Sequence, residues 1–457
     1  MLIIISDLHL TDGTSGTTIG TGAFEIFKDR ITDMAIKASW RQDEAGKRIY
    51  EPIKTIDILL LGDVLDIIRS KHWSDAPNGL RPWSDPNSPE FIAMVQKINR
   101  DILKNNEASF AMLRALTQTT RGMGNEGKIT IPMNQYEEGE KPKPQTKTRS
   151  ITAINPETVE IPVKVRIHYM VGNHDWFYHL PGKAYDEVRR DVVRAMGLAN
   201  NPNLPFPHSI EESVDLQQIC RDHRVYPRHG DIHDPFNYDE DKGRDASSLG
   251  DVIVVELLNR FPAEVEQQMK GRLPEETISG LKEIDNVRPL MFIPIWINGL
   301  LNKTCHDKEL AEEVQDIWNK MADDFLELPV VEAEDTLMPF ESVDLLQIGL
   351  KITKVTGFDT ISKVISSIAG KKGGGGETYY KQALKEPAYT NGEVDFVVYG
   401  HTHHQEIVPL EMKDMTDRFY FNTGTWRQVF ELSRADRKAE SFMGFQVMSY
   451  LGFFKEG

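Results

Sequence analysis

The sequence predicts an α/β protein with a mostly helical insertion, and three features of the 457 residues lead to that expectation. Short β-type runs each stop at a cluster of Gly, Asp, Asn or His. Stretches of helical period separate the first of these runs, as in chains that alternate strand and helix. Between 232 and 392 the strand-end clusters cease and helical periodicity takes over. The expected organisation is a core in two parts, 1–231 and 393–457, around an insertion or cap at 232–392.

Taken in order, Leu2–Ile5 is an apolar strand that reaches Asp7 and His9. Residues 12–22 are rich in Gly, Thr and Ser and read as a loop beside them. Phe24, Phe27, Ile31, Met34 and Ala38 then recur at helical spacing. The run 55–61 is apolar almost throughout, as a strand covered on both faces is, and it ends in Gly62, Asp63 and Asp66. Residues 69–89 carry prolines and tryptophans and read as a surface loop near the site. Ser88 as N-cap and Pro89 at the first helical position open a helix expected to run to about residue 116.

The polar segment 119–162 has β-type pieces at 128–132 and 158–161, which allow either a hairpin arm or a poorly ordered excursion. Residues 163–171 alternate and then turn mostly apolar, stopping at Gly172, Asn173, His174 and Asp175. One turn at a strand tip thus presents an amide, an imidazole and a carboxylate at the sheet edge where α/β proteins bind ligands. Helices follow at 183–196 and 214–221, and a strand at 225–227 leads to His229, Gly230 and Asp231.

In the insertion, 249–260, 275–284, 308–326, 343–355 and 358–369 have helical period, and 371–376, Lys-Lys followed by Gly, reads as a linker. The insertion is either packing bulk or a cap that shapes substrate choice. Its most apolar stretch, 289–301, is interrupted by Pro294 and is shorter than the roughly 20 residues that span a bilayer, so it reads as buried core. Strand pattern returns at 394–399 before Gly400, His401, Thr402 and His403, and 419–426 and 442–451 supply further strands.

Lys plus Arg number 53 against 70 Asp plus Glu, a net charge of −17, which disfavours a nucleic-acid backbone as partner. Cys220 and Cys305 stand apart in no metal-type spacing, which fits a reducing compartment and a cytoplasmic protein. The apolar start lacks basic flanks and is too short for a signal peptide. No transmembrane segment is expected.

The polar residues at the five tips are Asp7, His9, Asp63, Asn173, His229, His401 and His403. Carboxylates, imidazoles and an amide oxygen suit manganese first, with iron or zinc as alternatives, and the absence of cysteine speaks against a closed structural zinc site. Seven ligands exceed one ion. Two divalent ions about 3.5–4 Å apart fit if a carboxylate bridges them, and Asp63, after the central-looking strand, is the candidate. Such a pair lowers the pKa of water from about 15.7 toward about 7 and polarises phosphate oxygens. Phosphate ester hydrolysis is the chemistry that most needs this. His174 would protonate the departing oxygen or stabilise the phosphoryl group, with Asp66 orienting its ring. Arg69 is a candidate to bind the phosphate bidentately. His72, His168, His179, His208, His223 and His306 read as surface or packing residues, and His233 and His404 lie near enough to ligands to support them from behind.

Together, Asp7-x-His9, Gly62-Asp63-x-x-Asp66, Gly172-Asn173-His174-Asp175, His229 and Gly400-His401-x-His403 resemble the signature of the calcineurin-like metallophosphoesterases. The resemblance implies a two-sheet β-sandwich flanked by helices. It assigns Asp7, His9, Asp63 and His403 to one ion, Asp63, Asn173, His229 and His401 to the other, and His174 with Asp66 to catalysis. Asn422 to Thr425 is similar to a turn that often follows the last ligand in this family. His229-Gly230-Asp231 and the Gly400 to His403 motif are also similar to the UDP-diacylglucosamine pyrophosphatase branch, which usually has Arg in place of His174 and no insertion of this length. The expected function is a dinuclear metal-dependent phosphoesterase acting on a phosphorylated small molecule or nucleotide-type substrate. The alternatives are a nuclease of the same fold and a non-catalytic binding or scaffold protein.

Overall fold

The computed structural model of the chain describes residues 1–42, 46, 48–117, 127–134, 158–337, 376–413, 416–433 and 441–455. The helices expected at 343–355 and 358–369 and the linker at 371–375 lie outside the described residues. The strands are β1 (Leu2–Ile5), β2 (Trp40–Gln42), β3 (Arg48–Tyr50), β4 (Thr55–Leu61), β5 (Gly127–Asn134), β6 (Thr158–Met170) and β7 (Val225–Pro227). They continue with β8 (Val287–Arg288), β9 (Phe396–Tyr399), β10 (Gln405–Lys413), β11 (Thr416–Thr423), β12 (Gln428–Leu432), β13 (Phe442–Gln446) and β14 (Leu451–Phe453).

The fold is mixed α/β. One sheet has the order β14-β1-β4-β6-β5 and a second the order β10-β11-β9-β7, with smaller sheets β13-β12-β8 and β2-β3. In the first, β1, β4 and β6 are parallel, with Ile5 beside Leu60 and Leu61 beside Met170. In the second, β7, β9 and β11 are parallel. The β-type pieces at 128–132 and 158–161 pair antiparallel as β5 and β6, while 135–157 lies outside the described residues.

The uninterrupted apolar character of β1 and β4 follows from cover on both faces. Leu2, Ile4, Leu59, Leu61 and Met170 join Val225, Val397, Tyr399 and Tyr420 in one buried cluster, so the two larger sheets share a core. Ile3, Ile5, Ile58, Leu60 and Ile167 point the other way, as the two-residue period of a strand requires. They meet helices α1 (Thr21–Ala38), α2 (Lys71–Ser74), α3 (Pro89–Asn105), α4 (Glu107–Thr117) and α5 (Lys183–Met196), through side chains such as Phe24, Phe27, Phe91 and Val188. Helix α6 (Val214–Asp222) contributes Leu216 and Ile219 to the inter-sheet core.

The single helix expected from Pro89 to about 116 is two. Asn106 leaves helical geometry at φ −111° and ψ 19°, and its amide donates to the carbonyls of Thr11 at 2.8 Å and Ile102 at 2.9 Å. A side chain that competes for backbone carbonyls ends a helix in this way.

The described part of 232–392 is mostly helical, with α7 (Leu249–Ile253), α8 (Phe261–Met269), α9 (Glu275–Leu281), α10 (Ile293–Thr304), α11 (Lys308–Leu326), α12 (Pro329–Leu337), α13 (Gly376–Ala383) and α14 (Pro387–Thr390). The stretch expected as one helix at 249–260 widens after α7 into a π-turn over Val254–Leu258. The run 289–301 enters α10, where Ile293, Ile295, Trp296, Ile297 and Leu301 are buried. Among the described residues no helix is long and apolar enough to cross a membrane.

Candidate metal centre

Parallel strands end on the same side, so β1, β4 and β6 deliver Asp7, Asp63 and Asn173 to one edge, and β7 and β9 deliver His229 and His401 to it from the second sheet. Backbone bonds lock the tips together: Asp7 N–H donates to the Gly62 carbonyl at 3.1 Å, His9 N–H to Asp63 at 2.9 Å and Gly400 N–H to His229 at 2.9 Å. The Thr425 hydroxyl donates to the Asp7 carbonyl at 2.5 Å, and the Asn422 amide to that of Gly400 at 2.7 Å. The turn from Asn422 to Thr425 therefore props the Asp7 and His401 loops from behind.

The tips are tightly built. Asp7, His9, Asp63, His401 and His403 all have positive φ, between 43° and 70°, which is a costly conformation for residues with a Cβ. Such residues persist where their surroundings over-determine them, and they gather at functional sites. Two glycines permit the close approach. A Cβ on Gly172 would strike the Asp63 carboxylate and the His229 ring, and one on Gly400 would lie 2.6 Å from Asp7 Oδ2.

The side chains form three overlapping donor groups: His9, Asp63 and His174 make one, and the other two adjoin across Asp63. In the first of those two, His9 Nε2 faces His403 Nε2 at 2.9 Å, Asp63 Oδ2 at 3.7 Å and Asp7 Oδ1 at 3.8 Å, and His403 Nε2 is 3.6 Å from Asp7 Oδ1. In the second, His229 Nε2 lies 3.2 Å from Asp63 Oδ2 and 3.2 Å from Asn173 Oδ1, which is 3.0 Å from His401 Nδ1. Asp63 Oδ2 belongs to both. Spacings of about 3–4 Å between donors match cages around cations with ligand bonds of about 2.0–2.2 Å.

Each donor is aimed by a partner behind it, as ligands of metal sites are. His229 Nδ1 donates to the Leu61 carbonyl at 2.9 Å, turning Nε2 inward. His401 Nε2 lies 3.0 Å from Asp234 Oδ2, and the Asn173 amide nitrogen donates to Asn237 Oδ1 at 3.1 Å, which leaves its oxygen facing the imidazoles. Asp66 is shared: Oδ2 is 2.8 Å from His9 Nδ1 and Oδ1 is 2.9 Å from His174 Nδ1.

Burial and charge oppose one another here. Burial alone would raise the Asp63 carboxyl and lower the His229 and His174 imidazoles. Attraction wins: Asp63 is held far below the ordinary carboxylate range by His229 and His174, His229 is pushed up to about 10 by Asp63, and His174 to about 10 by Asp66 and Asp63. His403 goes the other way, held well below its ordinary value by burial and by Arg288. Asp175, buried and close to Asp63, is raised to about 6, while accepting from Tyr169 at 2.7 Å and the Val64 N–H at 2.9 Å. The pocket thus pairs its carboxylates with protons that a cation would replace.

Arg69 is a correction to the sequence reading. It is buried, with Nη1 on Asp285 Oδ2 at 2.7 Å and Nη2 on the Ser15 carbonyl at 2.9 Å, so its guanidinium is committed to holding the loop and not available to a phosphate. The residues that close the site from 232–392, Asp234, Asn237, Asp285 and Arg288, are ones the sequence did not single out. Asp234, five residues past His229, carried a faint signal in its proximity to a ligand. The others come from a turn (Asn237), a short 3-10 turn (Asp285) and the two-residue strand β8 (Arg288), none of which carries a strand-end motif in the sequence.

Among the remaining histidines, His179 and His208, read as packing residues, meet on Asp245 Oδ1 at 2.7 and 2.9 Å and form a small cluster of their own. His404 is exposed and pairs with Glu431 at 3.1 Å. His233 lies 5.4 Å, ring to ring, from Tyr399, behind the His229 tip. No family model matches the chain, and no curated protein matches its sequence.

Proposed function

We propose that the chain is a dinuclear metal-dependent phosphoric ester hydrolase of the calcineurin-like metallophosphoesterase kind, acting on a phosphodiester, pyrophosphate or phosphomonoester. The observation that carries this reading is the position of Asp63 Oδ2, which is 3.7 Å from a nitrogen of one donor cluster and 3.2 Å from a nitrogen of the other. A carboxylate so placed would be shared by two cations and would offset their repulsion. Two sheets sharing a core, with helices on the outer face of one, are in keeping with the sandwich of that family.

Asp7, His9, Asp63 and His403 would hold one divalent ion, and Asp63, Asn173, His229 and His401 the other, with Mn²⁺ the first choice for such oxygen and imidazole donors. A bound pair supplies an acidified water and neutralises phosphoryl charge. The chain's own residues do the rest. Asp66 fixes His174 through Nδ1, leaving Nε2 as the nitrogen that gives a proton to a departing oxygen. Asp66, paired to Nδ1, favours the protonated form of the ring. The Asp63 Oδ1 atom accepts the His174 backbone N–H at 2.9 Å, coupling the acid's position to the bridging carboxylate.

The test is hydrolysis of a generic aryl phosphodiester by purified protein before and after chelation. Chelation is expected to abolish turnover and Mn²⁺ to restore it. Turnover that survives complete removal of metal excludes the reading.

A further inference from the structure

His179, His208 and Asp245 share no residue with the donor groups that gather on Asp63. They come from three segments. His179 ends the short 3-10 turn after the Asn173 tip, His208 lies between α5 and α6, and Asp245 belongs to the insertion, just before α7. Asp245 Oδ1 is 2.7 Å from His179 Nδ1 and 2.9 Å from His208 Nε2, and the two rings stand 4.2 Å apart, centroid to centroid. Two imidazoles thus turn a ring nitrogen onto one carboxylate oxygen.

An ion pair accounts for His179 beside a carboxylate, but it leaves unexplained why a second, buried imidazole is aimed at the same atom. The supports behind the rings are those of a ligand set. His179 Nε2 is 3.2 Å from Glu212 Oε2, and a carboxylate behind an imidazole is what orients metal-binding histidines. Glu212 also accepts the His208 backbone N–H at 3.1 Å, so one side chain sets both loops. The carbonyls on either side of His179, those of Tyr178 and Leu180, accept from the buried Arg189 at 2.9 and 2.7 Å. The His208 carbonyl accepts from Arg244 Nη1 at 2.8 Å. Donors on backbone held this firmly are pre-organised for a ligand.

Charge and access agree with this. Arg244 is paired with Asp231 at 2.8 Å, which leaves Asp245 and Glu212 as two carboxylates around two imidazoles, the balance of one divalent ion. The Asp245 side chain is 41% exposed and lines a cavity of about 400 Å³ with Trp83, Trp176 and Lys242, so an ion has a way in. Two imidazoles and a carboxylate are a donor set of three-ligand zinc sites, whose fourth place goes to water or a ligand. Imidazole suits zinc, whereas manganese stands lowest in the affinity order of such divalent ions.

We propose that His179, His208 and Asp245 bind one further divalent ion of the zinc type, apart from the dinuclear centre, and that this ion joins the insertion to the core. Ligand bonds of about 2.0–2.2 Å set donors roughly 3–4 Å apart, slightly wider than the Asp245 contacts, and the exposed carboxylate is the donor able to adjust. Glu212 is a positioning residue. The site goes beyond the dinuclear reading and does not depend on it.

The probe is Zn²⁺, counted per chain by metal analysis after gel filtration, in wild-type, Asp245→Ala and Asp63→Asn proteins and in the double variant. Asp245→Ala is expected to carry one ion fewer than wild type, and Asp63→Asn to keep one that the double variant lacks. Equal Zn²⁺ in wild type and Asp245→Ala overturns the proposal and leaves a hydrogen-bonded cluster only, and so does Asp63→Asn protein that holds none. Asp63→Asn protein with as much Zn²⁺ as wild type counts against the dinuclear reading instead, while the Asp245→Ala difference still decides this site. Long-range ¹H–¹⁵N spectra of wild-type protein titrated with Zn²⁺ need no variant. His179 Nδ1 and His208 Nε2 are expected to become metal-bound nitrogens, and spectra in which either stays free reject the site.

Discussion

The Asp63 carboxylate accepts the His174 backbone N–H at 2.9 Å, and the proposed function gives the two side chains different work. Asp63 reaches both donor clusters, whereas His174, within ligand reach of His9 and Asp63, has Asp66 on Nδ1. Asp63→Asn keeps the shape and removes the charge, so it is expected to strip metal from both clusters. His174→Ala is expected to retain the metal and lose about 10²–10⁴-fold in turnover, the usual worth of a general acid. Metal analysis of the two purified variants beside their rates checks both, and a metal-free His174→Ala protein overturns the division of roles. These residues were legible in the sequence because each follows an apolar run that can only be a buried strand, and a polar cluster at such a tip has few structural reasons to exist. Arg69 and Arg288 were not separable that way. Both are arginines in loops or short strands, and that Arg69 turns inward depends on where Asp285 lies, across 216 residues of chain that no local pattern encodes.

At the scale of elements, β4 and β6 carry a polar patch near the end away from the metal centre. Asp57, on the face that bears Leu59 and Leu61, is buried and accepts from Arg166 Nε at 2.7 Å, with His168 Nε2 at 3.2 Å. Burial would raise the Asp57 carboxyl, but the His168 and Arg166 contacts outweigh it and hold the pKa below its ordinary value. A carboxylate with a depressed folded-state pKa stabilises the fold above its unfolded value of about 3.9, and that contribution is lost as pH falls through the lower folded value. Asp57→Asn is accordingly expected to cost about 1–3 kcal/mol at pH 7. The gap from wild type should narrow below about pH 4, as denaturant titrations at the two pH values would read. Helices such as α5 were visible from periodicity to the residue, because nothing competes with their amphipathic pattern. The break between α3 and α4 was not, since it depends on Asn106 finding the Thr11 carbonyl, 95 residues earlier in the chain.

At the scale of the molecule, the described part of 232–392 does not keep a core to itself. Leu249, Val255, Phe261, Leu281, Val287, Trp296 and Trp318 belong to the same buried cluster as Ile3, Ile58, Ile167 and Phe27 of the sheet and its helices. Polar contacts tie the parts at the site as well, through Asp234 to His401 at 3.0 Å and Arg288 to His403 at 2.7 Å. A shared apolar cluster makes partial unfolding expensive, because opening either part exposes the other's buried face. The whole chain is therefore expected to give one calorimetric transition. A cation that binds only the folded state at about 100 times its dissociation constant adds about 2.7 kcal/mol. Spread over the unfolding entropy of a chain this long, that is a rise in Tm of about 3 °C for each cation. Asp63→Asn should show no such rise. A second transition that ignores Mn²⁺ would mean that the helical segment folds as its own unit, and that Asp234 and Arg288 meet the metal centre across an interface and not from within a common core.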